Sequence, residues 1–315
     1  MQWKYTPLAE GLGYYSDWHV ADSPLVWLYE PVSIGTGPNT LAIFTVGNNQ
    51  DLWQTNFNLQ TTADISPWVS LGGRASCPPV VALRKHFVHI FYVGVDHMLY
   101  HKMWDGGKYI PANKGEFEKI GGPFLGGPLH SLAAVSATPD TITVFGIGAK
   151  DSKLYRYDWT EGKGWGKADV LPGLWADSLK AVTVASPYWD VFGLSIGGGI
   201  NHVHFNAEDP YEFEEIPGEY IGLEAISSKP HRIDLFPLPS NHTPIHKVWE
   251  SGKWISETSL GGWALYPLKA VTHTPGSLAV YCIGNSTLYA QVCNRQTGKW
   301  SGWVAMGGTM WVNVG

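Results

Sequence analysis

The chain has 315 residues, 44% hydrophobic and 15% charged, enough for one large domain with a substantial core. Its net charge of −6, with no basic stripe, argues against nucleic acid as a partner. No apolar run reaches the length of a membrane-spanning helix, which argues against membrane insertion.

Residues 1–23 precede any repeat, and the opening Met1 to Glu10 lacks the apolar stretch of a signal peptide. The expected location is cytoplasmic, with secretion or release by an unconventional route as the alternative. From residue 24 the sequence falls into six units: 24–73, 79–122, 131–173, 179–218, 223–262 and 267–308. One phrase in each is an aromatic residue, a variable one, an aliphatic one and usually glycine. The aromatics are Phe44, Phe91, Phe145, Phe192, Phe236 and Tyr281, spaced 47, 54, 47, 44 and 45 residues apart. A closing phrase, clearest as Trp68 to Gly73, Phe117 to Gly122 and Trp303 to Gly308, keeps the same period. Four β-rich segments separated by turns fill the last unit, between Leu268 and Met306.

A period in the forties with four strands per unit specifies an all-β chain: a six-bladed β-propeller of four-stranded antiparallel blades, rather than seven blades, in a single domain spanning 1–315. Runs such as Leu41 to Val46 are almost continuously apolar, as expected for strands covered on both faces. Pro237 and Pro239 predict a bulge or a shortened strand in the fifth unit. The two ends, 1–23 and 309–315, are expected to add an outer strand or clasp. Cys282 is expected opposite residue 287, too far from Cys293 for a disulfide, so Cys77, Cys282 and Cys293 read as free thiols.

Two constellations carry chemistry. Aromatics flank a polar, glycine-bearing turn between the third and fourth strands: Trp104 and Tyr109, Trp159 and Trp165, Trp249 and Trp254, and Trp300 alone. Such faces suit the C–H faces of sugars, although aromatics also staple blades together. The second is a series of pairs expected to face each other on adjacent strands: Ala42/Gln54, His89/His101, Thr143/Arg156, Asp190/His202, Asp234/His246 and Ala279/Ala290. Polar residues in apolar strands either stitch the blade by mutual hydrogen bonds or form pocket floors.

The repeat resembles those of propeller lectins, chiefly the six-bladed fucose-specific lectins of fungi. It is also similar to bacterial seven-bladed lectins whose units end in Trp-x-x-Leu-Gly-Gly, and the units Leu99 to Trp104 and Leu154 to Trp159, with the closing Leu-Gly-Gly, are especially close to that type. The resemblance covers about residues 24 to 308. In the fungal type a sugar sits between blades, one blade giving an arginine and a glutamate and the next giving two aromatics. Here the arginine positions hold Ala42, His89, Thr143, Asp190, Asp234 and Ala279. The glutamate positions hold Gln54, His101, Arg156, His202, His246 and Ala290. The resemblance therefore implies a multivalent, non-enzymatic binder of glycans or glycoconjugates, needing no cofactor and open to homo-oligomerisation. Fucose-like or O-methylated sugars are candidates, and fewer sites than blades are expected. The expected pockets are His89/His101 with Trp159/Trp165, Asp190/His202 with Trp249/Trp254, and a partial one at Asp234/His246 with Trp300.

Two other classes compete. A glycoside hydrolase needs two carboxylates flanking the bond, and no such pair can be assigned. A protein-binding scaffold would show a varied surface rather than aromatics repeated unit by unit. His86/His89 and His202/His204 have strand spacing, but no third metal ligand accompanies either pair.

Overall fold

A computed structural model describes residues 2–7, 13–19, 26–58, 66–128, 130–206, 211–272, 274–294 and 296–307. These residues form strands and turns, with no helix. Each repeat makes its own antiparallel sheet, and the protein is a six-bladed β-propeller of four-stranded blades. In repeats 2 and 3 the fourth strand is broken in two. Tyr109–Ile110 and Glu118–Gly121 both pair with Leu99–Trp104, and Gly164–Trp165 and Asp169–Leu171 both pair with Leu154–Thr160.

The chain divides into two compact units, residues 1–129 and 130–315. The first contains repeats 1 and 2 and a hairpin of Gln2–Pro7 with Gly13–His19. That hairpin forms a sheet of its own, so it does not extend repeat 1 as an outer strand. Repeat 1 already supplies four strands from Val32 to Gly72, and repeat 6 supplies four from Lys269 to Gly307. The expectation for residues 309–315 lies outside the described residues.

Within each unit the first strands of successive repeats lie side by side. Val32–Gly37 meets Val80–Arg84 in the first unit. In the second, Leu132–Val135, Trp175–Ala185, Tyr220–Lys229 and Lys269–Val271 follow in series. The second strands are buried almost from end to end, as their apolar runs predict. Phe192 and Ile200 of repeat 4 share a core with Leu223 and Leu235 of repeat 5. Phe236 and Leu238 of repeat 5 share the next with Leu268 and Val280 of repeat 6.

Repeat 5 does not shorten at its prolines. Arg232–Pro239 is a full strand, paired to Tyr220–Lys229 as far as Pro239, with an irregularity at Tyr220/Gly222. The effect appears on the other edge, where the ladder to Ile245–Glu250 stops at Leu235↔Lys247, just before Pro237. A ring nitrogen without hydrogen ends pairing on the side it faces.

The turn between the second and third strands places one residue in the left-handed region in every repeat. These residues are Gln50, His97, Ser152, Gly198 and His242 (φ 67°, 62°, 56°, 90° and 63°), with Asn285 and Ser286 in repeat 6. In four of them the N–H of this residue closes the turn on the strand end: Gln50 on Gly47, His97 on Gly94, Gly198 on Ser195 and His242 on Pro239, at 2.8–3.0 Å.

Candidate functional site

The register of the second and third strands corrects the expected pairing. The residues opposite one another are Phe44 and Gln54, Phe91 and His101, Phe145 and Arg156, and Phe192 and His202. The two residues of each predicted pair are thus diagonal neighbours on one face, two positions out of direct opposition. His89 faces Met103, and Asp190 faces His204. The repeat aromatic stacks on the third-strand ring instead, with Phe91–His101, Phe192–His202 and Phe236–His246 centroids 4.9, 4.1 and 4.8 Å apart. The diagonal still brings the polar atoms together, because histidine is long enough to reach across it.

In repeat 2, His89 Nδ1 lies 3.0 Å from His101 Nε2, and His101 Nδ1 lies 3.0 Å from Glu118 Oε2. Both rings are buried. Glu118 accepts from His101 Nδ1–H, so His101 Nε2 accepts from His89, and both rings are neutral. Burial, helped by the neighbouring His101 and Arg84, pushes His89 down to about 2, and burial outweighs the pull of Glu118 at His101.

Repeat 4 uses the same diagonal with the opposite charge. His202 Nε2 lies 2.7 Å from Asp190 Oδ1, and its Nδ1 lies 2.7 Å from Glu214 Oε1. Burial disfavours the imidazolium, but the hydrogen bonds and charges of Asp190 and Glu214 outweigh it and raise the His202 pKa. Asp190, fully buried, resists the pull of burial by accepting from His202 and from His204, and its pKa falls. His202 and His204 thus share one carboxylate. Among the described residues no group of three histidines, cysteines or carboxylates is disposed to hold a metal.

Repeat 5 places buried Asp234 under His246 Nε2 (2.8 Å), Arg232 (2.7 Å) and Ser228 (2.5 Å). These donors overcome its burial and hold its carboxyl at about 2. In repeat 3 Thr143 bonds Asp158 at 2.6 Å, and Arg156 Nε bonds the same carboxylate at 2.9 Å. Asp158, not Arg156, is therefore the partner of Thr143.

The aromatics come in register across their turns, Trp104 with Tyr109, Trp159 with Trp165 and Trp249 with Trp254. Each of these turns thus presents an aromatic pair, and in repeats 2 and 5 one member closes on the polar row of the repeat before it. Tyr109 donates its hydroxyl to Gln54 Oε1. Trp254 Nε1 donates to Glu214 at 2.8 Å, and Trp300 Nε1 donates to His246 Nδ1 at 3.3 Å. Tyr211 fills this role in repeat 4, taking Arg156 Nη1 at 2.6 Å on its hydroxyl.

The structure separates the two members of the Trp249/Trp254 pair. Trp249 is 8% exposed and belongs to the core shared by repeats 4 and 5, whereas Trp254 is only packed against that core. His89, His101, Trp104 and Tyr109 lie in the first unit, and Trp159 and Trp165 in the second. Sequence reasoning missed Glu118, Asp158, Glu214 and Tyr211. Glu118 and Glu214 sit opposite His101 and His202 on the fourth strand, a position that the closing phrase could have marked. Tyr211 was hidden because its turn lacks the Gly-Lys signature of the others.

No protein-family model matches the chain, and the comparison with curated proteins gives no match. Solved structures do match. The BP39L lectin from Burkholderia pseudomallei is 14% identical with a TM-score of 0.75, over 94% of this chain and 89% of that one. AofleA from Arthrobotrys oligospora is 16% identical, TM-score 0.63, over 89% and 87%. The fungal lectin of Aleuria aurantia, described as a six-bladed β-propeller with a novel fucose recognition mode, is 13% identical, TM-score 0.56, over 91% and 97%. At these identities the likeness is one of fold: the chain has the architecture of these propeller lectins.

Proposed function

We propose that the protein is a multivalent carbohydrate-binding lectin without catalytic activity, its sites lying where one repeat's turn aromatic meets the previous repeat's polar row. The observation that carries this reading is the recurrence of that meeting at Gln54/Tyr109, Arg156/Tyr211, Glu214/Trp254 and His246/Trp300. An aromatic edge beside hydrogen-bonding groups is what a sugar ring needs, and it recurs while the groups around it change. Two of the related folds are named as lectins, and one of them by fucose, which supports small saccharides of that kind as first candidates.

The sites are chemically unequal. A neutral amide stands at Gln54, a guanidinium at Arg156, at His202 an imidazole between two carboxylates that raise its pKa, and at His246 an imidazole between one carboxylate and the Trp300 indole. We therefore infer several specificities on one chain, with avidity arising on surfaces that display more than one glycan. Asp158, Asp190, Glu214 and Asp234 all accept from histidine, arginine or tryptophan, which favours binding over acid–base catalysis. The free thiols Cys77, Cys282 and Cys293 suit a reducing compartment, and we assign the protein to the cytoplasm.

A glycan array that includes fucosylated and O-methylated structures tests the proposal. Selective binding abolished by a free monosaccharide supports it. A blank array at high protein concentration refutes it and favours a protein-binding scaffold.

A further inference from the structure

A cavity opens between repeats 5 and 6, lined by Lys229, Arg232, Pro275, Gly276, Cys293, Asn294 and Gly298. Both charged residues on its wall are cations, and no carboxylate lines it. We propose that this cavity binds the carboxylate or sulfate group of an acidic saccharide, an inference that rests on the lectin reading and adds to its sites one with its own ligand class.

The arginine is built for the task. Its Nε and Nη2 are fixed on Asp234 at 3.1 and 2.7 Å, and Asp234 is wholly buried behind it. Asp234 is itself held by His246 and Ser228, so the guanidinium is oriented before any ligand arrives. Nη1 is left with only a 3.8 Å approach to Glu250. A planar, pre-positioned guanidinium matches the two oxygens of a carboxylate or sulfate. Lys229 adds a second, mobile charge: it is 40% exposed and paired at 2.7 Å with Glu250, which is outside the cavity lining. An anion entering the cavity would draw Lys229 away from Glu250, which keeps its 3.8 Å approach to Arg232 Nη1.

The floor is open for a ring. A side chain added at Gly298 would meet nothing within 4 Å. The Cys293 thiol stays neutral, because burial raises its pKa. A groove continues from the cavity, shares Lys229 and Pro275 with it, and presents the hydroxyl residues Thr183, Ser227, Thr272 and Thr274. An anionic sugar in the cavity would have its neighbouring residue over these hydroxyls. The feature belongs to this junction alone among repeats 4 to 6. In repeat 4, Tyr188 stands two positions before Asp190, where Arg232 precedes Asp234, and in repeat 6 Ser277 precedes Ala279.

Removing Arg232 would strand a buried carboxylate, so the test uses two other positions. Lys229→Gln deletes a cation at the surface. Asn294→Asp adds a negative charge while keeping the oxygen that accepts from the Gln296 and Thr297 N–H groups. Wild type and both variants are compared on an array of neutral, carboxylated and sulfated glycans. The expected result is binding of acidic glycans that weakens about tenfold in either variant, with neutral glycans unaffected. Carboxylated and sulfated arms show which anion is preferred. Binding of neutral glycans only, or acidic binding indifferent to both variants, overturns the inference while leaving the lectin reading intact. A parallel titration with inorganic sulfate separates the two ideas. If the array is blank but sulfate raises the melting temperature of wild type and not of Lys229→Gln, the anion cavity stands and the lectin reading falls. No sulfate effect beside a blank array sinks both.

Discussion

Trp254 reaches back 40 positions to donate its indole N–H to Glu214, and the same carboxylate holds His202. Its cross-strand partner, Trp249, turns into the core instead. Two residues that the sequence presents as equals therefore have different work, one joining repeats at the surface and the other filling the space between sheets.

Truncation should separate them. Trp249→Ala is expected to cost about 3–5 kcal/mol, the range for a large buried aromatic, and to lower the denaturant midpoint accordingly. Trp254→Ala loses one hydrogen bond and part of a face, about 1 kcal/mol, and should reduce by one the number of sugars bound per chain. Calorimetric titration with an inhibitory monosaccharide reads the second effect. Unchanged stoichiometry would remove Trp254 from the site.

The histidine rows give the stability a pH optimum. His202 holds its proton more tightly when folded than the ordinary value of 6.5, so its contribution is full below about 6.5 and is lost as pH rises through the raised folded pKa. His89 and His101 act in the opposite sense. Burial keeps their folded pKa values below 6.5, His89 at about 2, so the unfolded chain takes up protons first and stability falls as pH drops below about 6.5. Each group contributes a slope of up to about 1.4 kcal/mol per pH unit. Melting temperatures between about pH 4 and pH 9 should peak near 6.5. His202→Asn should flatten the alkaline limb and His89→Asn the acid one; identical profiles in all three proteins would refute the charge assignment.

Gly73→Ala should destabilise the protein by about 1–3 kcal/mol. Gly73 ends the closing phrase of repeat 1 at φ 90°, and a Cβ there would stand 2.7 Å from Tyr92 Oη and 3.2 Å from Phe117. Gly115→Ala has a similar φ of 79° but open space around it, and should cost only the backbone strain, about 1 kcal/mol. Urea denaturation of the two variants compares steric and conformational costs directly.

Thiol reactivity should be graded. Cys77 and Cys282 are buried and pushed up to about 12, so at pH 8 about one in ten thousand of either is thiolate. A disulfide-exchange reagent should label Cys293 before either of them, and all three once the chain is unfolded. Prompt labelling of Cys77 in the native state would contradict its burial.

The fold was legible because a blade is a local object. Its period, its glycine turns and runs such as Leu41 to Val46 all lie within one repeat. The Phe44, Phe91 and Phe192 positions are buried as their recurrence predicts. The site was only half legible, because its geometry crosses strands and repeats. Spacing placed His89 and His101 on one face but missed that Phe91, not His89, faces His101, since the turn length fixes the register. Glu118 and Glu214 escaped notice because a carboxylate on an outer strand reads as solvated surface until its histidine neighbour is known. Tyr211 escaped because its turn lacks the Gly-Lys signature that marks the others.

Four aromatic contacts between repeats run one way, with the later repeat reaching back to the earlier. Tyr109 meets Gln54, Tyr211 meets Arg156, Trp254 meets Glu214 and Trp300 meets His246. During synthesis, therefore, each of these rows stays exposed to water until the following repeat has left the ribosome. Assembly has a built-in direction, and a chain arrested after repeat 4 would display His202 and Glu214 without the indole that covers them.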